Sequence, residues 1–382
     1  VATAAPVAPV VKEKQQLLAP RLYKTDIGIL NSLSIDLCRA EFEELRSDFD
    51  ADYNRAHFKW GPEVQNVEYQ ALWDEFYEFL NRSSIGEFSG CLLYSDVQKH
   101  LKDETLRAIY RAMGRDEGRH SSFLSWVMRH MGRPFDLAKL PNVKGMSYMH
   151  PKWIFVTTYL SEIVGFYRYQ NISDHMKLHP EFNFHPIFDY FDNWCKDERR
   201  HSRFFALMMR SQPHYYSGWL SKLGVKFFTL AVYITMYLRD EKSAVYNAMG
   251  INWEKYDFKV IDETEEAAHG IWGIAIRTKS DYFKSCLRKM RDNNRANAKG
   301  RLHTGWRKNA VVPVRYARFA SNILQYAKLM FQKHDWVEPL PRSEWTKTCC
   351  DPGDASVLKL EGAVPVTLRR SPMRSEPIPA TA

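Results

Sequence analysis

The chain has 382 residues, 45% of them hydrophobic and 26% charged, which is enough to bury a large core in an ordinary globular composition. Net charge is +9 and the pI is near 9.1, a balance that admits nucleic acid, an anionic membrane or an acidic partner. The six cysteines (Cys38, Cys91, Cys195, Cys286, Cys349, Cys350) make no C-x-x-C pair and no disulfide framework, so reduced thiols are expected.

Residues 1–20, nearly all Ala, Val and Pro at the start, read as a flexible leader, consistent with an end processed after organelle import. Ser34 is placed as an N-cap, and Leu37, Phe42, Leu45 and Phe49 predict a helix running to Phe58 before the loop signal Gly61-Pro62. Four segments then repeat apolar positions in alternating steps of four and three, the period of a helix face packed in a bundle. The first reads Phe76, Leu80, Ser83, Glu87, Gly90, Tyr94, Val97, and the second Leu106, Tyr110, Met113, Glu117, His120, Leu124, Val127. The third reads Phe155, Tyr159, Glu162, Phe166, Tyr169, and the fourth Ile187, Phe191, Trp194, Glu198, His201, Phe205, Met208. A breaker-rich stretch from Gly132 to Pro151 suits one long crossover, and Pro180 and Pro186 bracket a shorter link. Trp219–Arg239 is expected to form a fifth helix and Lys259–Ile276 a sixth. The apolar run Phe227 to Leu238 is uncharged for only 12 residues, short of the roughly 20 that cross a bilayer.

These elements predict one all-α domain over residues 20–280, a ferritin-like four-helix bundle with additional helices. Residues 281–338 read as a basic helical extension, in which Lys284, Arg288, Lys289, Arg291, Arg295, Lys299, Arg301, Arg307 and Lys308 face only Asp292. Residues 339–382, rich in Pro, Ser and Thr, read as a disordered tail. No Walker loop or dinucleotide fingerprint occurs, and the basic run lacks the aromatic platforms of a nucleic-acid surface.

The seams carry one pattern twice. Glu87 precedes Asp116-Glu117-Gly118-Arg119-His120 and Glu162 precedes Asp197-Glu198-Arg199-Arg200-His201. A buried carboxylate is heavily penalised unless paired or bound to metal, and four on facing seams call for two cations. Glu-x-x-His puts both side chains on one helix face, about 60° apart, so one metal is gripped from adjacent turns. This is the ligand set of di-iron bundles. One imidazole for each metal favours a metal softer than magnesium and leaves positions open for dioxygen. Glu117 and Glu198 would bridge the irons. Glu87 with His120 and Glu162 with His201 would be terminal ligands. Asp116 and Asp197 are expected to accept from the free ring N–H of each histidine, with Arg119 and Arg200 neutralising them. Tyr94, Tyr159 and Tyr169 lie near the seams, while His57, His175, His185 and His269 are expected to be structural or exposed.

In these motifs the chain resembles the aerobic magnesium-protoporphyrin IX monomethyl ester oxidative cyclase family of chlorophyll synthesis. The resemblance rests on Glu87-Phe88-Ser89-Gly90, Arg115-Asp116-Glu117-Gly118-Arg119-His120, Tyr159-Leu160-Ser161-Glu162 and Trp194-Cys195-Lys196-Asp197-Glu198-Arg199-Arg200-His201. Arg21-Leu22-Tyr23-Lys24-Thr25-Asp26, Asp52-Tyr53-Asn54, His57-Phe58 and Thr235-Met236-Tyr237-Leu238-Arg239-Asp240 extend it over residues 20–280. The family usually has lysine at Ile163 and alanine at Gly118, and the stretch after Asp262 and the basic tail match it poorly. The resemblance implies a membrane-associated di-iron monooxygenase that oxidises a magnesium porphyrin ester and closes its fifth ring to protochlorophyllide. It implies dioxygen as co-substrate and electrons from NADPH or ferredoxin through a partner reductase. A small accessory subunit and peripheral contact with a chloroplast thylakoid or inner envelope membrane follow, or with a photosynthetic bacterial membrane. The rival readings are another di-iron oxygen enzyme, such as a desaturase or rubrerythrin-like peroxidase, and a non-catalytic ferritin-like iron-binding protein.

Overall fold

The computed structural model describes residues 23–58, 70–133, 147–240, 244–300, 310–337, 355–363 and 365. The predicted leader and most of the Gly132–Pro151 crossover lie outside them. Asp26 starts α1 (Ile27–Ser32) by accepting the Ile29 N–H at 2.9 Å. Ser34 accepts the Asp36 N–H at 3.1 Å but is not the expected N-cap: Ile35 caps the short 3-10 turn Asp36–Cys38 and Cys38 caps α2 (Arg39–Asp50), neither through its side chain. That helix stops at Asp50 and does not reach Phe58. Asp52 is left-handed (φ 39°), which turns the chain, and the segment returns Phe58 to the bundle.

Two helical hairpins form the bundle. α3 (Gln70–Gln98) and α4 (Glu104–His130) make the first. Asp103 caps α4 by accepting the Leu106 N–H at 3.0 Å, so a link of a few residues suffices. α5 (Pro151–Leu178) and α6 (Phe191–Ser211) make the second, joined through 3-10 turns at Pro180–Phe182 and Pro186–Tyr190. Pro151 fits the first turn of α5 because no intrahelical partner exists there for its missing N–H. The seams meet in the middle. Phe76, Leu80, Met113, Val127, Phe155, Ile163, Phe205 and Met208 are all fully buried, each worth about 1.5–3 kcal/mol of transfer free energy. Ile163, where the family's lysine would stand, is therefore a core residue. A methyl at Gly118 would lie 3.3 Å from Cys91 Sγ, so the sulfur takes the space that the usual alanine would use.

β1 (Tyr23–Lys24) pairs in parallel with β2 (Ser147–Tyr148). α7 (Pro213–Tyr216) then leads to α8 (Trp219–Asp240), which ends one residue beyond the predicted helix. Gly224 lets α8 lie against α5, since a methyl there would meet Trp153 Cη2 at 2.3 Å. After α9 (Ala244–Ala248), α10 (Trp253–Trp272) starts and stops earlier than the predicted Lys259–Ile276. Asn252 accepts the Lys255 N–H at 3.1 Å, and left-handed Gly273 (φ 73°) ends the helix. Ile274–Ala275 instead forms β3, antiparallel to β4 (Asp335–Trp336).

The extension folds back as α11 (Asp281–Gly300) and α12 (Val312–Phe331). Its basic run has a second counter-charge besides Asp292: Glu254 of α10 pairs with Arg288 at 3.1 Å and Arg291 at 2.5 Å. Arg301, Arg307 and Lys308 lie outside the described residues. The tail is not wholly loose either. Ala355 and Leu358 are buried, and Leu360 N–H donates to the Gly250 carbonyl at 2.7 Å, tying residues 355–363 to the bundle. Cys38, Cys91, Cys195 and Cys286 are unbridged, and among the described residues no helix is long and apolar enough to cross a membrane.

Candidate metal centre

The two hairpins bring all six predicted ligands together in the core. Glu87, His120 and Glu198 form one set and Glu117, Glu162 and His201 the other, with donor atoms within 4.8 Å of one another in each. All six are buried. The arrangement is crossed: each set takes a glutamate and a histidine from one hairpin and the Glu-x-x-His carboxylate of the other. His120 Nδ1 faces Glu87 at 3.2 Å and Glu198 at 3.8 Å. His201 Nδ1 faces Glu162 at 3.5 Å and Glu117 at 3.8 Å. The repeat in the sequence thus becomes an approximate two-fold in space. Gly165, one turn beyond Glu162, helps make room, since a methyl there would sit 3.3 Å from Glu198 Oε2.

The outer ring nitrogens face aspartates of the opposite hairpin. Asp197 lies 2.9 Å from His120 Nε2, and Asp116 3.7 Å from His201 Nε2. Arg200 pairs with Asp197 and lies 3.4 Å from Asp116, so it serves both. Arg119 lies beside Asp116 but has a second, shorter partner. It stands 3.8 Å from Asp116 and is engaged by Asp52 at 2.8 Å, while Arg115 is the closer cation to Asp116 at 3.0 Å. Asp52 stands out in the sequence only within the Asp52-Tyr53-Asn54 resemblance, and no spacing ties it to Arg119, because its position depends on the turn after α2.

Two tyrosines repeat the two-fold. Tyr94, seven residues after Glu87, donates to Glu162 Oε1 at 2.5 Å, and Tyr169, seven after Glu162, to Glu87 Oε1 at 3.4 Å. The recurrent Glu-x6-Tyr spacing was a readable signal for this crossing. Tyr159 packs edge-on against Trp272, with ring centroids 5.6 Å apart. Trp194, not singled out as a site residue, donates its indole N–H to Glu198 Oε1 at 3.0 Å and lies over His120 at 4.4 Å. Phe58, Phe123 and Tyr190 continue an aromatic cluster from it toward the surface. Of the other histidines, His57 is exposed and His269 half-buried on the Glu265 carbonyl. His175 and His185 are buried, with His175 Nε2 2.9 Å from the Met249 carbonyl.

Electrostatics give the test of fit. Burial pushes Glu198 well above the usual carboxylate range, and Glu87, Glu162 and Glu117 add to it by repulsion. Burial opposes a charge on His120, yet Asp197 and Glu87 outweigh it and raise its pKa to about 9. Burial likewise opposes a charged His201, and Asp116 and Glu162 outweigh it. Crowded carboxylates and proton-holding imidazoles are the state from which two cations would displace protons. Carboxylate oxygens plus one imidazole nitrogen in each set suit iron. The residues fit.

A helical bundle with two carboxylate–imidazole sets in its core defines a ferritin-like, rubrerythrin-type protein, and residues 78–209 match the Rubrerythrin family model. The chain belongs to the magnesium-protoporphyrin IX monomethyl ester oxidative cyclase family, a family of oxidoreductases. It is 37% identical over 294 residues to the cyclase of that name from Porphyra purpurea, covering 74% of this chain and 83% of the relative. It is 37% identical to the aerobic cyclase of Rubrivivax gelatinosus (73% and 80% covered) and 38% identical to the chloroplastic cyclase of Hordeum vulgare (77% and 76%). No solved structure matches.

Proposed function

We propose that the protein is a di-iron oxidative cyclase that converts magnesium-protoporphyrin IX 13-monomethyl ester to protochlorophyllide by oxidative closure of the fifth ring. The observation that carries this reading is the intact crossed donor set in a member of the cyclase family. Glu87, His120 and Glu198 would hold one iron and Glu117, Glu162 and His201 the other. Two irons bound there supply the reduction of dioxygen and the oxidising power needed at an unactivated C–H bond.

The chain's own groups set the stage for that chemistry. Asp197, accepting from His120 Nε2, keeps Nδ1 directed at Glu87 and Glu198. Tyr94 holds Glu162 by donating to Oε1, which leaves Oε2 facing His201 Nδ1, and Trp194 holds Glu198 by donating to the Oε1 that also faces His120 Nδ1. Asp116, Asp197 and Arg200 form a buried cluster behind the histidines, two carboxylates against one guanidinium, with Arg115 as a second cation on Asp116. Burial of Phe123 and Trp194 excludes bulk water from the His120 side, and with the partly open Phe58 and Tyr190 they offer ring faces to a flat macrocycle.

Each turnover needs two external electrons, and the chain has no flavin or nicotinamide motif, so a reductase or ferredoxin supplies them and a small accessory subunit takes part. We place the protein at the surface of a plastid membrane, supported by the chloroplastic relatives, with a photosynthetic bacterial membrane as the alternative. The test is anaerobic loading with ferrous iron, then reductant, oxygen and the porphyrin ester. A ring-closed, red-shifted product that Glu117→Ala abolishes is expected. Fatty-acyl or peroxide turnover without that product would overturn the reading in favour of another di-iron enzyme.

A further inference from the structure

Two helices present apolar faces that the bundle leaves uncovered among the described residues. On α8, Trp219, Leu220, Leu223 and Phe227 are exposed, Trp219 by 70%. On α12, Tyr316, Phe319, Ile323, Leu324 and Phe331 are exposed, Phe331 by 86%. The helices lie side by side: Tyr326 donates to the Phe227 carbonyl at 2.7 Å and their rings are 5.4 Å apart. Trp336, 65% exposed, stands at the α8 side with Lys222 Nζ 4.5 Å from its ring. Single exposed apolar side chains are ordinary, but a two-helix face of large ones marks a contact surface.

Charge decides what it contacts. α12 carries Arg315, Arg318 and Lys328 and no acidic residue at all. Lys333 follows, exposed, and Lys222 lies on α8. An amphipathic helix with aromatic and aliphatic residues outward and only cations along it suits a bilayer interface with anionic headgroups, and the acid beside this face, Asp335, is paired with Arg277 at 2.5 Å. No described helix can span, so the contact is made in the plane of the surface.

We infer that the α8–α12 face is the surface by which the protein seats on a bilayer carrying anionic lipid. The inference rests on the membrane placement proposed above and locates it on α8, inside the stretch that resembles the cyclases, together with α12, outside it. Phe319, Ile323 and Leu324 enter the headgroup–acyl boundary, and Arg315, Arg318 and Lys328 take the acidic headgroups.

The test is flotation of the full chain with vesicles of phosphatidylcholine alone and of phosphatidylcholine with phosphatidylglycerol. The wild type is expected to float with the anionic vesicles, and Phe319→Glu/Ile323→Glu to lose about tenfold or more in partitioning. Lys328→Glu, on the exposed side of α12, weakens binding by several-fold and only to the anionic vesicles. Circular dichroism and cyclase activity in detergent confirm that the variants are folded. A wild type that floats with neither vesicle would sink the membrane placement itself. A wild type and double variant that float equally would overturn this surface and leave the placement standing. A wild type that is dimeric without lipid, with the double variant monomeric and lipid partitioning unchanged, would assign the face to a second copy of the chain and overturn the proposal.

Discussion

Asp197→Asn is the sharpest probe of how the site is held. In the structure Asp197 lies 2.9 Å from His120 Nε2, while its counterpart Asp116 stands 3.7 Å from His201. The substitution keeps shape and removes charge. The loss is that of a charge-assisted hydrogen bond, about 1.5–3 kcal/mol, or roughly 10- to 100-fold in affinity for the iron held by His120. Arg200 is not left alone in the core by this change, because Asp116 lies 3.4 Å from it, so the larger penalty of a stranded buried charge is avoided. Asp116→Asn should cost less, since the distance there is beyond hydrogen-bond range. The assay is anaerobic titration of the metal-free protein with ferrous iron against a competing chelator, reading two binding steps. Asp197→Asn should weaken one step selectively. Equal affinities in wild type and Asp197→Asn, or an equal loss in Asp116→Asn, would refute the claim that these aspartates act through the histidines in proportion to their distance.

Tyr94→Phe removes a 2.5 Å hydrogen bond to Glu162 and should lower the cyclase rate about tenfold, whereas Tyr169→Phe, with a 3.4 Å contact, should change it little; steady-state kinetics separates the two. Gly224→Ala drives a methyl into Trp153 and should cost about 1–3 kcal/mol in thermal unfolding, with Trp153→Leu restoring much of it. Burial lowers the pKa of His185 to about 3 and that of His175 to about 4. Both are neutral when folded and charge more easily when unfolded. Their contribution to stability is therefore full above pH 6.5 and is lost as pH falls toward those values. His185→Asn keeps an acceptor for the Ile187 N–H and should flatten the acid limb of a denaturant-midpoint profile against pH; an unchanged limb would show that His185 is not the group responsible.

The bundle was readable because its seams are long and regular: Glu87, Glu117, Glu162 and Glu198 fall on positions that the period assigns to the core, and the core is where they lie. Boundaries set by single backbone conformations were not. Left-handed Asp52 ends the segment after α2, and left-handed Gly273 ends α10, and neither leaves a mark in the hydrophobic period. The cations around Asp116 were only partly legible for a related reason: helical spacing puts Arg119 within 3.8 Å of it, but the same guanidinium also reaches a carboxylate from a distant turn, Asp52. The Arg288 and Arg291 pairing to Glu254 likewise arises only once α11 packs on α10. The tyrosine crossing was legible as a repeated seven-residue interval, since two helical turns return a side chain to the same face.

The crossed sharing of ligands has a consequence for assembly. Neither hairpin owns a complete set, because each set borrows Glu117 or Glu198 from the other side. A first iron would therefore clamp both hairpins together and bring the second set's donors into register before the second iron arrives. The second iron would then meet a site that the first has already drawn together, so the second binding step depends on the first.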